Sequence, residues 1–438
     1  MDTATKRQIL KACKLDEAIP PGDPRHFDFD HPEQLRGQPW RERVAQVIEL
    51  STEPTTQIVT GLPGSGKSTE LKQLKEELEQ SDYDVVLADA GAWVRDDEPI
   101  THHDILLALV LALYPEGKPS TLTGWAKEYA NQVGALLTTE VTPTELGFEA
   151  GFVKTKAALA TDNTLFQRIA RRLGEVQGLR QKVFDLLRGA AAEADAAGKP
   201  LVIILDGIEK RATGDLSGPE AREKFRNHWF GAFLIHAREL RPPVHVIYTV
   251  PGFMVRKAAE LGAQFGQELQ FLPMIRLFKH ELPDGRVALN PSGIRAMRTA
   301  LYRRVEGRYF ADPTIASWLV ANSGGYIRDL LRLVIDCVYR TPAGGQITRE
   351  IAEHAIVQVR QTYLEGIETA DEGILKQVHA DRAFPLTETN KARMDALLQG
   401  YLMLRYHNSL FWYDAHPLLW PRLGIPTFTW DEVAAACP

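Results

Sequence analysis

Short apolar runs and longer amphipathic segments alternate along the first 290 residues. The apolar runs are Thr55 to Thr60, Asp84 to Asp89, Pro200 to Asp206, Val244 to Thr249 and Phe271 to Leu277. Runs of this length are typical of strands buried on both faces of a parallel sheet. From Ser68 to Gln80, leucines recur at helical spacing, as they do in other segments between the runs. The pattern predicts an α/β fold with a five-stranded parallel sheet flanked by helices.

Three further helical patterns lie between these strands. Asp104 to Tyr114 is an apolar helix for which Asp104 is the expected N-cap, and helical sequence covers Leu165 to Ala197 and Pro219 to Leu240. From Glu116 to Thr164 the pattern loosens into Thr- and Gly-rich sequence. Within it, Glu145 to Leu159 alternates as a hairpin would, so the sequence predicts an insertion at about 116–164.

The pattern changes again beyond Pro291. Helices are expected over Ser292 to Glu306, Pro313 to Ala321, Arg328 to Tyr339, Thr348 to Glu365 and Asn390 to Gly400. Tyr401 to Tyr413 alternates about a His-Asn-Ser turn, which predicts a β-hairpin. A helix followed by a hairpin is typical of a winged-helix module.

The composition narrows the class of protein. The 438 residues are 44% hydrophobic and 25% charged, with a net charge of −6, which argues against a surface that grips nucleic acid throughout. Three widely separated cysteines form neither a disulfide framework nor a metal knuckle, and the twelve histidines show no metal-binding spacing. No apolar run is long enough to span a membrane, so we expect a cytoplasmic protein with no membrane partner.

The strongest chemical signal lies between the first strand and its helix. Residues 61–68 read GLPGSGKS and match the pattern GxxxxGK[ST]. Such a loop needs Gly61, Gly64 and Gly66 because backbone N–H groups must point at phosphate oxygens. Lys67 would neutralise the β- and γ-phosphates of ATP. Ser65, Ser68 and Thr69 complete the predicted nucleotide site, and Ser68 would also ligate Mg²⁺.

Carboxylates follow the strand that ends at Asp206. A phosphate loop needs an acidic residue on a neighbouring strand to hold the metal, so Asp206 is the expected partner of Ser68 at the Mg²⁺. Glu209 lies three residues further on and would orient or deprotonate the attacking water. The predicted catalytic set is therefore Glu209, Lys67 and Asp206.

The run DGIEKR after the apolar strand resembles a family signature. It is similar to the hhhhDG-h-[DE] pattern of STAND ATPases and to the related DxxDR pattern of KAP-type P-loop ATPases. KAP proteins carry membrane spans, whereas this sequence has no apolar run of that length. Arg36 and Gly37 resemble the AAA+ Arg-Gly pair that helps to seat adenine. Residues 323–328 (SGGYIR) resemble the lid segment of initiator-type AAA+ ATPases, whose arginine, here Arg328, reaches the γ-phosphate. Thr249 falls at the polar sensor 1 position.

This resemblance implies a strand order and a domain plan. The order is 5-1-4-3-2, with the phosphate-loop strand central and Thr249 projecting between Lys67 and Asp206. The expected regions are an N-terminal arm (1–40), the P-loop core (41–290), a helical lid (291–370) and a winged-helix-like module (371–438). Arg238 or Arg241 lies where AAA+ subunits send an arginine finger into a neighbour.

Three functions remain compatible with these motifs. The first is a STAND-type regulatory switch that binds and hydrolyses ATP and assembles with itself or an effector protein, a role that includes phage defence in bacteria. The second is a nucleic-acid-associated loader, to which the basic helix of Arg295, Arg298, Arg303 and Arg304 could contribute. The third is a P-loop kinase. The hairpin contains one cation, Arg405, among apolar residues, which favours the switch.

Overall fold

The computed structural model describes residues 1–31, 33–93, 100–113, 163–175, 178–211, 219–385, 387 and 390–437. The hairpin expected over Glu145 to Leu159 lies outside these residues. So does the predicted insertion, apart from its last two positions.

Helices and strands alternate through the α/β part of the chain. The elements are α1 (Thr3–Ala12), α2 (Trp40–Glu49), β1 (Thr56–Gly61), α3 (Lys67–Gln80), β2 (Asp84–Asp89), α4 (His102–Ala112), α5 (Asn163–Glu175), α6 (Leu179–Ala196), β3 (Leu201–Asp206), α7 (Pro219–Phe230), β4 (His245–Val250), α8 (Ala258–Phe265) and β5 (Gln270–Leu272).

The five strands form one sheet in the order β2-β3-β4-β1-β5, which confirms the predicted 5-1-4-3-2 arrangement. The pairs β1–β4, β3–β4 and β2–β3 are parallel, with Val59 opposite Thr249 and Asp89 opposite Asp206. Every residue of β1 and β3 is buried, as expected for central strands covered on both faces. Because parallel strands run in one direction, their carboxyl ends share one edge of the sheet.

Helix α4 begins earlier than its sequence suggested. Thr101 is the N-cap, and Asp104 accepts from the Thr101 backbone as the third residue of a capping box. The expectation that Asp104 itself caps the helix was therefore wrong. All residues from Ile105 to Leu113 are buried, so the helix lies wholly inside the hydrophobic core.

Two predicted long helices are interrupted. The segment before β4 leaves α-helical geometry at Phe230, passes through a π turn at Gly231–Ile235 and ends in a 3₁₀ turn at Ala237–Leu240. Glycine lowers helix propensity at 231, and Pro242 and Pro243 prevent continuation. Helices α5 and α6 are likewise separate, and Gly178 adopts a positive φ of 79° before α6. Strand β5 is shorter than expected because Pro273 cannot donate to the ladder.

The remaining described elements are mostly helical. They are α9 (Pro291–Tyr302), α10 (Pro313–Asn322), α11 (Ile327–Arg340), α12 (Arg349–Leu364), α13 (Thr369–Asp381), α14 (Lys391–Gln399), β6 (Met403–His407), β7 (Phe411–Ala415), α15 (Trp420–Leu423) and α16 (Trp430–Ala436). Strands β6 and β7 pair antiparallel, so the predicted hairpin is present after α14. Helices α1, α8, α13, α15 and α16 were not predicted.

The chain divides into two compact units. One comprises residues 1–40, 61–69 and 272–438, and the other comprises 41–60 and 70–271. The four-region domain plan stays a prediction. Within the described part of the chain, no helix combines the length and apolar character that crossing a bilayer requires.

Candidate functional site

The phosphate loop continues β1 and leads into α3 at Lys67. Gly64 and Gly66 adopt φ values of 81° and 101°, which residues with a Cβ rarely reach. Successive residues in such conformations direct their N–H groups into one concavity that attracts anions, and the positive end of the α3 dipole adds to the attraction. Both glycine conformations are therefore compatible with the phosphate-binding loop that the motif predicts.

Two side chains of the SGGYIR segment lie against this loop. A Cβ at Gly64 would lie 2.7 Å from Nε of Arg328 and 2.9 Å from the hydroxyl oxygen of Tyr326. The Tyr326 hydroxyl donates to the Pro63 carbonyl at 2.7 Å, and burial raises the pKa of Tyr326. Arg328 is thus close to the loop, as a phosphate sensor would need to be. Sequence analysis did not select Tyr326 as a residue that contacts the loop, because its neutral side chain belongs to no phosphate-binding motif.

Asp329, the residue after Arg328, anchors the start of α11. Its carboxylate accepts from the Tyr363 hydroxyl at 2.5 Å and lies 3.1 Å from Nε2 of His416 and 3.0 Å from Nη1 of Arg332. Burial alone would raise the pKa of Asp329, but His416 and Tyr363 reverse that effect and lower it overall. This buried network holds in place the first turn of the helix that presents Arg328.

Arg36 and Gly37 also belong to the surroundings of the loop. Arg36 is 2% exposed, its Nη2 donates to the Ser65 carbonyl at 3.2 Å, and its guanidinium lies 5.2 Å from the ring centre of Phe29. Gly37 has a φ of 84°, and a Cβ there would come within 2.1 Å of Nδ1 of His407. The pair therefore packs between loop and hairpin, and its predicted contact with adenine stays a prediction.

The side chains of the loop that are predicted to bind a triphosphate are buried or half-buried. Lys67 is buried and its Nζ donates to the Gly61 carbonyl at 3.1 Å. The Ser65 hydroxyl is buried and has no hydrogen-bond partner among the described residues, so a ligand oxygen could satisfy it. Thr69 Oγ1 accepts from the Ile19 backbone at 3.1 Å, and Ser68 is half-buried.

Asp206 and Glu209 are both buried in the unit that contains most of the sheet. Gly207 between them has a φ of 81°, and a Cβ at that position would lie 1.9 Å from Oδ1 of Asp89. The chain can therefore turn sharply after Asp206 only if residue 207 is glycine. Asp89, which sequence analysis did not select, in turn accepts from the Gly91 backbone at 3.0 Å.

Thr249 and Glu209 are brought together by their side chains. The buried Thr249 hydroxyl donates to Oε2 of Glu209 at 2.5 Å and lies 3.4 Å from the Leu205 carbonyl. A hydroxyl has one proton, so the shorter contact is the hydrogen bond. Thr249 thus fixes the carboxylate predicted to activate water. Its predicted position between Lys67 and Asp206 stays a prediction.

The candidate arginines outside this site have varied surroundings. Arg238 and Arg241 are exposed, and Nη1 of Arg241 approaches the Gln264 carbonyl at 3.4 Å. Their role as arginine fingers stays a prediction. The helix predicted to Glu306 ends at Tyr302, so Arg303 and Arg304 lie in the turn after α9. All four arginines of the predicted basic helix are bonded within the protein: Arg295 to Ser292, Arg298 to Cys437, Arg303 to His26 and Arg304 to Arg25.

One protein-family model matches part of the chain. Residues 38–215 match the KAP family P-loop domain, which confirms the resemblance of the chain to KAP-type ATPases over that region. No curated protein is significantly similar to the chain.

Two solved structures share low identity with the chain. The Walker-type ATPase PABY2304 of Pyrococcus abyssi is 12% identical with a TM-score of 0.46, covering 94% of this chain and 100% of its own. The Aeropyrum pernix ORC2 protein, solved in ADPNP–ADP complexes, is 13% identical with a TM-score of 0.41, covering 97% of each chain. Neither similarity is strong enough to support a conclusion about function. From the family match, the strand order and the loop, the chain carries a P-loop NTPase domain.

Proposed function

We propose that this protein is an ATP-binding and ATP-hydrolysing regulatory switch of the AAA+/STAND type, in which bound nucleotide controls assembly with itself or an effector protein. The observation that carries the proposal is the set of direct contacts from the phosphate loop to the lid segment and from that segment to the C-terminal hairpin. All of these contacts lie within the unit formed by residues 1–40, 61–69 and 272–438.

Two hydrogen bonds and one close packing contact form this connection. Tyr326 bonds to the Pro63 carbonyl on the loop side, and the Tyr406 hydroxyl of the hairpin donates to the Gly324 carbonyl at 2.6 Å. A Cβ at Gly324 would also meet Leu404 at 2.7 Å, so hairpin and lid segment are closely packed. A change in loop geometry on nucleotide binding would therefore be transmitted to the hairpin through two residues of one segment.

The proposed chemistry is hydrolysis of the terminal phosphoanhydride. Bound ATP would supply that bond, and Mg²⁺, held by the oxygens of Ser68 and Asp206, would neutralise charge on the phosphates. Lys67 and the loop N–H groups orient the phosphates. Glu209, held by Thr249, accepts a proton from water as the water oxygen attacks the γ-phosphorus. The bond to the bridging oxygen then breaks, giving ADP and phosphate.

The hairpin surface available to a partner is smaller than its sequence suggested. Leu402, Leu404 and Trp412 are buried within their own unit, whereas Leu410 and Phe411 at the turn are 75% and 39% exposed. One face of the hairpin packs on the lid segment, so its exposed apolar residues lie at the turn. We assign assembly to the tip residues Leu410 and Phe411.

The loader alternative receives less support from the hairpin. Arg405 is buried, with its guanidinium 3.8 Å from the ring centre of Phe411 and 5.6 Å from that of Tyr413. Burial lowers the pKa of Arg405, and a side chain so enclosed does not reach nucleic-acid phosphates. The single cation of the hairpin is therefore enclosed by aromatic rings, which a DNA-reading wing would not favour.

The test is size-exclusion chromatography with light scattering of the full chain. We expect a change in molar mass between ADP and a non-hydrolysable ATP analogue that persists at high salt, because apolar contact is not screened. Leu410→Ser should abolish the change while nucleotide affinity is kept, and Lys67→Ala should abolish both. Identical elution in every condition, together with steeply salt-sensitive DNA binding, would favour the loader instead.

A further inference from the structure

Two histidines and a glutamate meet in the unit that contains the sheet. His102 opens α4, while His236 and Glu239 lie in the turns between α7 and β4. Nε2 of His102 is 2.9 Å from Oε2 of Glu239, and Nδ1 of His236 is 3.2 Å from Oε1 of the same carboxylate. One atom from each of the three residues lies within 4.8 Å of the other two.

Local backbone features fix this juxtaposition. The capping box at Thr101 sets the first turn of α4 and hence the direction of His102. The π turn at Gly231–Ile235 shifts the following residues, so that His236 and Glu239, three positions apart, direct their side chains to one point. The imidazole rings of His102 and His236 stack with centres 3.8 Å apart and 17° between their planes.

We infer that His102, His236 and Glu239 form a binding site for a divalent transition-metal ion, most naturally Zn²⁺. Two imidazole nitrogens and one carboxylate oxygen are a ligand set typical of zinc sites that keep a position for water. His102 is buried, whereas His236 and Glu239 are partly exposed, so solvent can reach that fourth position. The site is separate from the residues assigned to ATP.

The ligand chemistry distinguishes zinc from the magnesium that accompanies ATP. Mg²⁺ selects oxygen ligands, while imidazole suits Zn²⁺ and its neighbours among the transition metals. Around a tetrahedral Zn²⁺ with bonds of about 2.0 Å, ligand atoms are separated by roughly 3.3 Å. The two histidine-to-carboxylate separations, 2.9 and 3.2 Å, are of that order. The stacked imidazole rings would turn out of their parallel arrangement to direct both nitrogens at one ion.

Arg180 competes for the same carboxylate. Its Nη1 lies 2.5 Å from Oε2 of Glu239, and its side chain is half-exposed. A bound cation would repel the guanidinium and take over this oxygen, while Arg180 could turn into solvent at little cost. Removing Arg180 should therefore strengthen metal binding, which a purely structural role for the cluster would not predict.

The experiment uses the full chain, freed of metal by chelation and without nucleotide. We expect Zn²⁺ titration to show one saturable ion per chain, and Co²⁺ to give the visible absorption of a four-coordinate site. His236→Gln and Glu239→Gln should each weaken binding at least about tenfold, and Arg180→Ala should strengthen it severalfold. His354→Gln removes an exposed histidine of the other unit and should change the binding of neither Zn²⁺ nor Co²⁺.

Circular dichroism on each variant separates loss of a ligand from loss of fold. The inference is overturned if the folded wild-type chain binds no Zn²⁺ or Co²⁺, or if His236→Gln and Glu239→Gln bind as the wild type does, which would indicate adventitious binding. Because nucleotide is absent, neither result depends on the proposed ATPase function.

Discussion

The phosphate loop and the carboxyl end of β3 are built on different principles. The loop relies on backbone conformation: Gly64 and Gly66 have positive φ, and Tyr326 and Arg328 occupy the space that a Cβ at Gly64 would need. The end of β3 relies on side chains: Asp206 and Glu209 are buried carboxyl residues, and Thr249 bonds to the second.

This difference implies a division of labour. A backbone cradle holds phosphates equally in ground state and transition state, so its loss should weaken binding. A carboxylate that takes a proton acts in the transition state, so its loss should lower turnover and leave affinity intact. Single-residue variants of the loop and of the end of β3 test the two halves of this division.

Lys67→Ala should have the largest effect, because it removes the buried cation of the loop. A charged hydrogen bond lost from a buried site costs about 3 kcal/mol, so ATP affinity should fall about a hundredfold or more. Isothermal titration measures this directly. Lys72→Ala, on the same helix, serves as the control, and unchanged affinity in Lys67→Ala would show that the loop does not bind the phosphates as described.

Glu209→Gln should slow hydrolysis by about a hundredfold without weakening ATP binding, since the amide cannot accept the proton from water. Single-turnover phosphate release gives the rate, and titration gives the affinity. Glu220→Gln replaces an exposed glutamate of α7 and should leave both unchanged. A Glu209→Gln variant with nearly normal turnover would reduce Glu209 to a turn residue.

Thr249→Val should have a smaller effect on the same step. Valine matches threonine in shape but cannot donate to Oε2 of Glu209, so the carboxylate loses its fixed orientation. We expect turnover to fall about tenfold, with binding preserved. Combining it with Glu209→Gln should add little, because the hydroxyl acts through that carboxylate. Full additivity would mean that Thr249 acts elsewhere, as a direct phosphate sensor would.

The sequence predicted the sheet better than the site around it. The five strands followed from apolar runs, and their order followed from the resemblance to P-loop ATPases of the AAA+/STAND group. The helix expected over Pro313 to Ala321 ends one residue later, at Asn322. The positions of strands and helices depend on local pattern and on caps such as Asp312. Both are visible in a single sequence.

What the sequence could not show depends on contacts between distant residues. Gly207 is required because Asp89 occupies the space of its Cβ, and Tyr326 matters because it reaches Pro63. The cluster of His102, His236 and Glu239 was missed because His102 is far in sequence from the other two residues. The π turn that aligns His236 with Glu239 was not predicted either. No periodicity and no sequence motif indicates any of these contacts.

Tyr326→Phe is the mildest change and tests whether the two properties of the loop, binding and coupling, are separable. It removes one hydrogen bond, to the Pro63 carbonyl, and keeps the ring that stacks on Tyr401 with centres 5.2 Å apart. One neutral hydrogen bond contributes about 1 kcal/mol, so ATP affinity should fall no more than about fivefold. If the contact transmits nucleotide state to the hairpin, the difference in molar mass between the ADP and ATP-analogue states should shrink far more than the affinity does.

Tyr406→Phe, which removes the next bond of the series at Gly324, should leave affinity unchanged and have the same effect on assembly. An assembly change that survives in both variants would mean that the loop and the hairpin are not coupled through this segment.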